Sequence, residues 1–336
     1  MSIKTINTKK KVFVIAEAGN NHEGNFSNAK KLVVRAAKAG ADAIKFQTFI
    51  TEELIHKKKV NRFNQLKKFE LKHSQFKQLR EIAKKNKIKF ISTPQDISSA
   101  KFLIKIVDIV KIASNDNNFF PMLDVVLRSK KPIIISTGMT TQKDIKNLIK
   151  YISKKISKKM IKKKISLLHC VTSYPVEDKY VNLNSIPYLI KTTKLNIGYS
   201  DHSLGNEACL GAVVLGAKII EKHFTLDKKF SKFRDHALSA DFIELKQLVH
   251  GIRKLEHQIG YFKKFILKPE KTLIKVTRKA PYARRDIYKG EKFNLKNIVF
   301  LRNTNSSSFL GLQNIIGKKA KIKISKDKRI DKKYII

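Results

Sequence analysis

A chain of 336 residues with 42% hydrophobic content can build one barrel-sized domain and a smaller one. Its 72 Lys and Arg against 27 Asp and Glu give a net charge of +45, but 61 of those cations are Lys and 11 are Arg, spread along the whole chain. That spread, without RNP, zinc-finger or basic-helix signatures, argues against a nucleic-acid module and for solvated Lys-rich faces that also gather anions at low salt.

The N-terminal segment is basic but has no apolar run of signal-peptide length, and no stretch reaches membrane-spanning length. Cys170 and Cys209 both lie in apolar runs and read as buried free thiols of a reducing compartment. The expected location is the cytoplasm, with neither nucleic acid nor membrane as partner.

Eight short β-rich runs follow one another: VFVIA (12–16), DAIKFQT (42–48), IKFIS (88–92), DIVKIA (108–113), PIIIS (132–136), KISLLHC (164–170), NIGYS (196–200) and KIIEKHF (218–224). Between them run helical patterns. Phe26, Ala29, Val33, Ala36 and Ala37 recur at three-to-four spacing before Gly40, and Phe76, Leu79, Ile82 and Ala83 form a second stripe. Apolar strands alternating with helices predict parallel strands covered by helices, and eight such units predict a (β/α)8 TIM barrel. An open doubly wound sheet is the alternative, but no strand leads into a G-x-G-x-x-G turn. The barrel domain is expected over 1–262. Residues 263–274 read as a linker passing through Pro269, and 275–336 as a small β-rich domain.

Parallel strand ends gather the chemistry of such folds. His202 and His223 end successive strands and are candidate ligands of one divalent metal, with positions left open for water and substrate. Imidazole with oxygen ligands suits Mn²⁺, with Mg²⁺ or Co²⁺ as alternatives. Lys45 and Lys111 are cations inside otherwise apolar strand patterns, and each reads as a phosphate or carboxylate clamp or as a lysine snorkelling to solvent. Thr93, Ser114, Ser136 and Ser200 fall at or just after strand ends and add neutral donors. Glu17 closes the first strand and is a candidate acid/base, or a salt-bridge partner of Lys45. Asp235 lies in a loop after the eighth strand, placed to align water. The set suggests a metal-assisted reaction on a phosphorylated anion. A Schiff-base aldolase using Lys45 or Lys111 is the competing enzyme reading.

The motifs IAEAGNNHEGN, KFQTF, ISTP, VKIASND, ISTGM, LLHCVTSYP, GYSDHSLG and IIEKHFTLD, in that order, resemble the sialic acid synthase family of phosphoenolpyruvate-condensing nonulosonate synthases. DIYKGEKF and the later Leu-Arg resemble that family's C-terminal antifreeze-like (SAF) domain. The resemblance covers roughly 12–336. It implies condensation of phosphoenolpyruvate with an N-acetylmannosamine-type aldehyde and water, with release of phosphate; legionaminate or pseudaminate synthesis from a diacetamido-trideoxy hexose is the alternative. It further implies metal ligation by His202 and His223, and Glu17 near the reacting centre. Lys45, Thr93, Lys111, Ser114, Ser136, Tyr174 and Ser200 would form the phosphoenolpyruvate shell, and Asp116 and Asp235 would meet the sugar. Arg302 would reach from a partner's SAF domain in a swapped homodimer. Thr172, Asn115-Asp116, the loop FSKFRDH and Asn303 depart from the family pattern, all on the sugar side.

Overall fold

A computed structural model describes residues 11–302 and 311–336; Asn303 lies outside the described residues. The chain divides into two units, the first ending at Gly260 and the second beginning at Tyr261.

In the first unit, β1 (Phe13–Gly19) leads through α1 (Phe26–Lys38) to β2 (Ala43–Thr48). Three helices, α2 (Thr51–Leu54), α3 (Val60–Phe69) and α4 (His73–Lys85), precede β3 (Lys89–Pro94). Then α5 (Ile97–Ile106), β4 (Ile109–Ile112), α6 (Phe120–Arg128) and β5 (Ile133–Ser136) follow in alternation. Two helices, α7 (Gln142–Ser153) and α8 (Lys158–Lys164), lead to β6 (Ile165–Cys170). After α9 (Ser185–Thr193), β7 (Asn196–Asp201), α10 (Glu207–Val214) and β8 (Ile219–His223), the unit ends in α11 (Arg234–Leu238) and α12 (Phe242–Gln258). The eight strands are parallel, each paired with its neighbours, and β8 pairs with β1, which closes the barrel. The predicted TIM barrel is the observed fold.

Local chemistry explains the elements. α1 starts where the Asn25 side chain accepts from the Asn28 amide, and it buries Ala29, Leu32, Val33 and Ala36. The outward strand side chains and the helices form the main core, and Tyr199, Phe46 and Phe90 are fully buried there. Inside the barrel, Ile15, Ala43, Ile91, Ile109, Ile134, Leu168 and Ile219 form an apolar plug. β7 has no room for a side chain at that level. A Cβ on Gly198 would stand 2.4 Å from the Ile219 carbonyl oxygen and 2.6 Å from Leu168 Cδ2.

Behind β7 and β8 sits a buried ion pair. Lys222 Nζ donates to Asp201 Oδ2 at 2.7 Å and to the Ser203 carbonyl at 2.6 Å. Asp201 Oδ1 accepts from Tyr199 Oη, Ser203 N and Ser203 Oγ, and Cys209 Sγ lies 3.2 Å from Oδ2. A buried pair survives when its remaining lone pairs and protons are satisfied in this way.

The second unit holds α13 (Lys268–Thr277) and the antiparallel strands β9 (Lys279–Ala283) and β10 (Ile298–Arg302). Its own small core contains Ile287, Phe293, Ile298, Ile315, Ile324 and Ile330. Part of the stretch read as a linker, 263–274, is therefore helical. Pro269 stands in the first turn of α13, where a missing N–H leaves no bond unmade, and Glu270 accepts from the Leu267 amide at 2.7 Å.

Candidate active site

Alternation along a strand points residues two apart to the same face. Two residues beyond each plug position, and beyond Gly198, stand Glu17, Lys45, Thr93, Lys111, Ser136, Cys170, Ser200 and Glu221. All eight line one cavity of about 270 Å³. Each barrel strand contributes one of them to the floor. His202 and His223 line the same cavity one level higher, with Tyr174, Ser114, Gln47 and Gln95. The wall carries Phe49, Leu54, Ile55, Leu66 and Phe233, with Arg62, Arg234 and Asp235.

The floor carries four buried charges. Lys45 Nζ pairs with Glu17 at 2.8 Å and Glu221 at 3.6 Å, and donates to Thr93 Oγ1 at 3.3 Å. Lys111 Nζ donates to Ser136 Oγ at 2.6 Å and the Ile112 carbonyl at 3.0 Å, with Glu221 3.9 Å away. Burial raises Glu17 to about 7 despite Lys45. Burial also opposes ionisation of Glu221, but Lys111, Lys45 and the Ser200 bond outweigh it and hold the group below its ordinary value. Burial disfavours charge on Lys45, yet Glu17 and Glu221 raise it; Lys111 is lowered by burial.

The histidines are neutral donors in waiting. Burial lowers both. His202 Nδ1 donates to the Val171 carbonyl at 2.7 Å, so Nε2 carries the free lone pair. His223 Nδ1 is buried and has no hydrogen-bond partner among the described residues. The ring centroids are 5.3 Å apart, and the Tyr174 ring lies 4.1 Å from that of His202. Two imidazoles with lone pairs facing one cavity fit a first-row divalent ion. Among the described residues no group of three or more His, Cys, Asp or Glu side chains is placed to hold a metal, so water and substrate oxygens would complete such a site.

Of the residues singled out in the sequence, Glu17, Lys45, Thr93, Lys111, Ser114, Ser136, Tyr174, Ser200, His202, His223 and Asp235 share the cavity. Asp116 does not line it; its neighbour Asn115 does. Asp116 Oδ2 is nonetheless buried with no hydrogen bond among the described residues, and burial raises the group to about 6. Arg302 ends β10 in the second unit and is exposed. Of the residues that depart from the family pattern, Asn115, Phe233, Arg234 and Asp235 line the cavity and Thr172 does not; Thr172 Oγ1 is buried without a partner among the described residues, and the Arg234 guanidinium lies 4.7 Å from the Tyr174 ring centroid. The sequence reading missed Cys170 and Glu221 on the floor. It also missed Gln47 and Gln95, linked by a 3.0 Å bond, and the apolar wall.

The sequence profile of the NeuB family matches residues 32–264. The N,N'-diacetyllegionaminic acid synthase of Campylobacter jejuni is 38% identical over 335 residues, covering 96% of this chain and 99% of that protein. The human N-acetylneuraminate-9-phosphate synthase is 30% identical, covering 95% and 91%. A crystal structure of N-acetylneuraminic acid synthetase from Leptospira borgpetersenii, in complex with citrate, superposes with a TM-score of 0.73 at 37% identity, over 79% of this chain and 90% of that one.

Proposed function

The chain belongs to the NeuB family, and from that premise we propose that it is a nonulosonate synthase, condensing phosphoenolpyruvate with N-acetylmannosamine or a related amino-sugar aldehyde and water to give a nine-carbon 2-keto sugar acid and phosphate. One observation carries the reading: a single cavity floor holds two lysines, two carboxylates and three hydroxyls beneath a pair of neutral histidines. Phosphoenolpyruvate brings a phosphate and a carboxylate, which call for cations and hydroxyl donors. Lys45 with Thr93, and Lys111 with Ser136, supply them; Ser114, Ser200 and Tyr174 complete the shell. Carbon C3 attacks the aldehyde carbon, water adds to C2, and the C2–O bond breaks to free phosphate. The aldehyde oxygen gains a proton and the attacking water loses one. The Glu17 carboxyl holds that proton, because a carboxyl near 7 exchanges it at neutral pH. A divalent ion held by His202 and His223, Mn²⁺ by preference with Mg²⁺ or Co²⁺ as alternatives, would polarise the aldehyde as a Lewis acid. Asp116 and Asp235 meet the sugar.

The acceptor has a second reading, a diacetamido-trideoxy hexose of the legionaminate or pseudaminate route. The wall of Phe49, Leu54, Ile55, Leu66 and Phe233 favours it, since methyl and acetamido groups want apolar surface. The second unit acts as an SAF domain, and Arg302 completes the cavity of the partner in a domain-swapped homodimer. Two buried free cysteines fit a cytoplasmic enzyme.

The test measures phosphate release from phosphoenolpyruvate against N-acetylmannosamine, its 6-phosphate and diacetamido-trideoxy hexoses. Release with one acceptor, abolished by chelator and restored by Mn²⁺, is the expected result. Borohydride trapping of a pyruvate adduct on Lys45 or Lys111, without phosphate release, would move the chain to the Schiff-base aldolases.

A further inference from the structure

Glu221 is the one charged floor residue without a part in the chemistry above. It is fully buried on β8, one level below His223. Its Oε1 accepts from Ser200 Oγ at 2.8 Å. Its Oε2 has no hydrogen-bond donor among the described residues and faces only the Lys45 ammonium at 3.6 Å. On the other side, Lys111 Nζ stands 3.9 Å from Oε1. The carboxylate is thus wedged between the two cations that the phosphoenolpyruvate reading assigns to the anion.

Charge counting gives this placement a purpose. With both carboxylates ionised, Glu17, Glu221, Lys45 and Lys111 sum to zero. A phosphate that reaches the lysines competes with Glu221 for the same two ammonium groups. Such competition weakens every bound anion, substrate and product alike. An enzyme that leaves inorganic phosphate in a dry, doubly cationic clamp slows its own turnover, because binding shared by ground states adds nothing to rate and product release then limits it. The neutral Ser200 bond fixes the carboxylate so that it offsets the lysines without filling the space above them.

We propose that Glu221 is a positioning residue that holds the Lys45 and Lys111 ammonium groups in place and lowers the anion affinity of the clamp, so that inorganic phosphate leaves. This rests on the phosphoenolpyruvate-condensing reading of the site. It acts through the lysines and touches no reacting atom.

Titration calorimetry with inorganic phosphate on the full-length protein tests it, comparing wild type with Glu221→Gln, Glu221→Ala and Glu221→Asp. Removing one unit charge within 4 Å of both cations should tighten phosphate binding by about tenfold or more in the Gln and Ala variants. KM for phosphoenolpyruvate should fall together with kcat, and product inhibition by phosphate should strengthen. The Asp variant, which keeps the charge, should return phosphate affinity toward wild type. Unchanged or weaker phosphate binding in folded Gln and Ala variants overturns the proposal. Failure of both to fold, read by circular dichroism, also overturns it, since Glu221 would then be a counter-ion the barrel needs to form. The two readings part cleanly: tighter phosphate binding in a protein that releases no phosphate with any acceptor sinks the condensation and leaves the counter-ion role standing.

Discussion

Two floor carboxylates share Lys45 yet differ in how they hold a proton. Glu17 is raised to about 7 by burial, while Glu221 stays below its ordinary value between Lys111 and Lys45. Groups pushed apart in this way take different tasks. Glu17→Gln keeps the shape but carries no titratable proton. Steady-state kinetics should give a kcat lower by ~10²–10⁴ with substrate binding preserved, and a drop below threefold would return Glu17 to a salt-bridge role. Asp116 offers a test of a different kind. Its folded value of about 6 lies above its unfolded one of 3.8, so the folded state binds more protons between those values and ionisation costs stability above pH 6. Asp116→Asn should therefore raise stability at pH 8, by about 1 kcal/mol after allowing for partial exposure, and the gain should vanish as pH falls through 6 to below 4. Thermal melts at pH 8 and pH 4 check the sign; loss of activity in the stabilised variant would place the carboxylate in sugar binding. Reading strand ends by residue type found Lys45 and Lys111 but passed over Cys170 and Glu221. Position would have caught both, since each lies two residues beyond a plug residue, Leu168 and Ile219. Asp116 and Arg302 follow no period, and only the family resemblance pointed to them.

At the scale of elements, the eight strands were legible because strands buried on both faces read as continuous apolar runs, and IIIS or SLLHC can hardly be anything else in this context. The segment 51–69 was not. In α3 only Leu66 and Phe69 are buried, too few to mark a stripe, yet with Leu54 and Ile55 this stretch supplies much of the apolar cavity wall. The helical part of 263–274 was hidden by Pro269, which breaks a helix in its interior and suits its first turn. Neighbouring elements are also stitched by single residues. Lys164, the last residue of α8, is buried and donates from Nζ to the Leu127 carbonyl at 2.6 Å and to the Ser129 carbonyl, tying off the end of α6. Lys164→Met should leave those carbonyls unpaid and cost about 1–3 kcal/mol, read as a lower denaturation midpoint with turnover per folded molecule unchanged. An unchanged midpoint would make the contact incidental.

For the whole molecule, the decisive question is whether one chain is sufficient for the reaction. Arg302→Ala and Glu17→Gln are each expected to be inactive alone. Mixed at equal concentration and allowed to exchange subunits at random, half the dimers become heterodimers with one intact site each, so activity should recover to about a quarter of wild type if Arg302 acts in trans. No recovery after exchange has been demonstrated by native mass spectrometry would put Arg302 in cis or outside the site. The Asp201–Lys222 pair has a consequence for how this barrel avoids folding wrongly. Histidines and ion pair alternate along the same two strands, so a one-residue slip of β8 against β7 would turn His223 into the helix layer and swing Lys222 into the cavity. Asp201 would then remain buried without its cation, a loss of ~3–5 kcal/mol where a charge is stranded in the interior. The motifs that build the site thereby also proofread the register on which it depends.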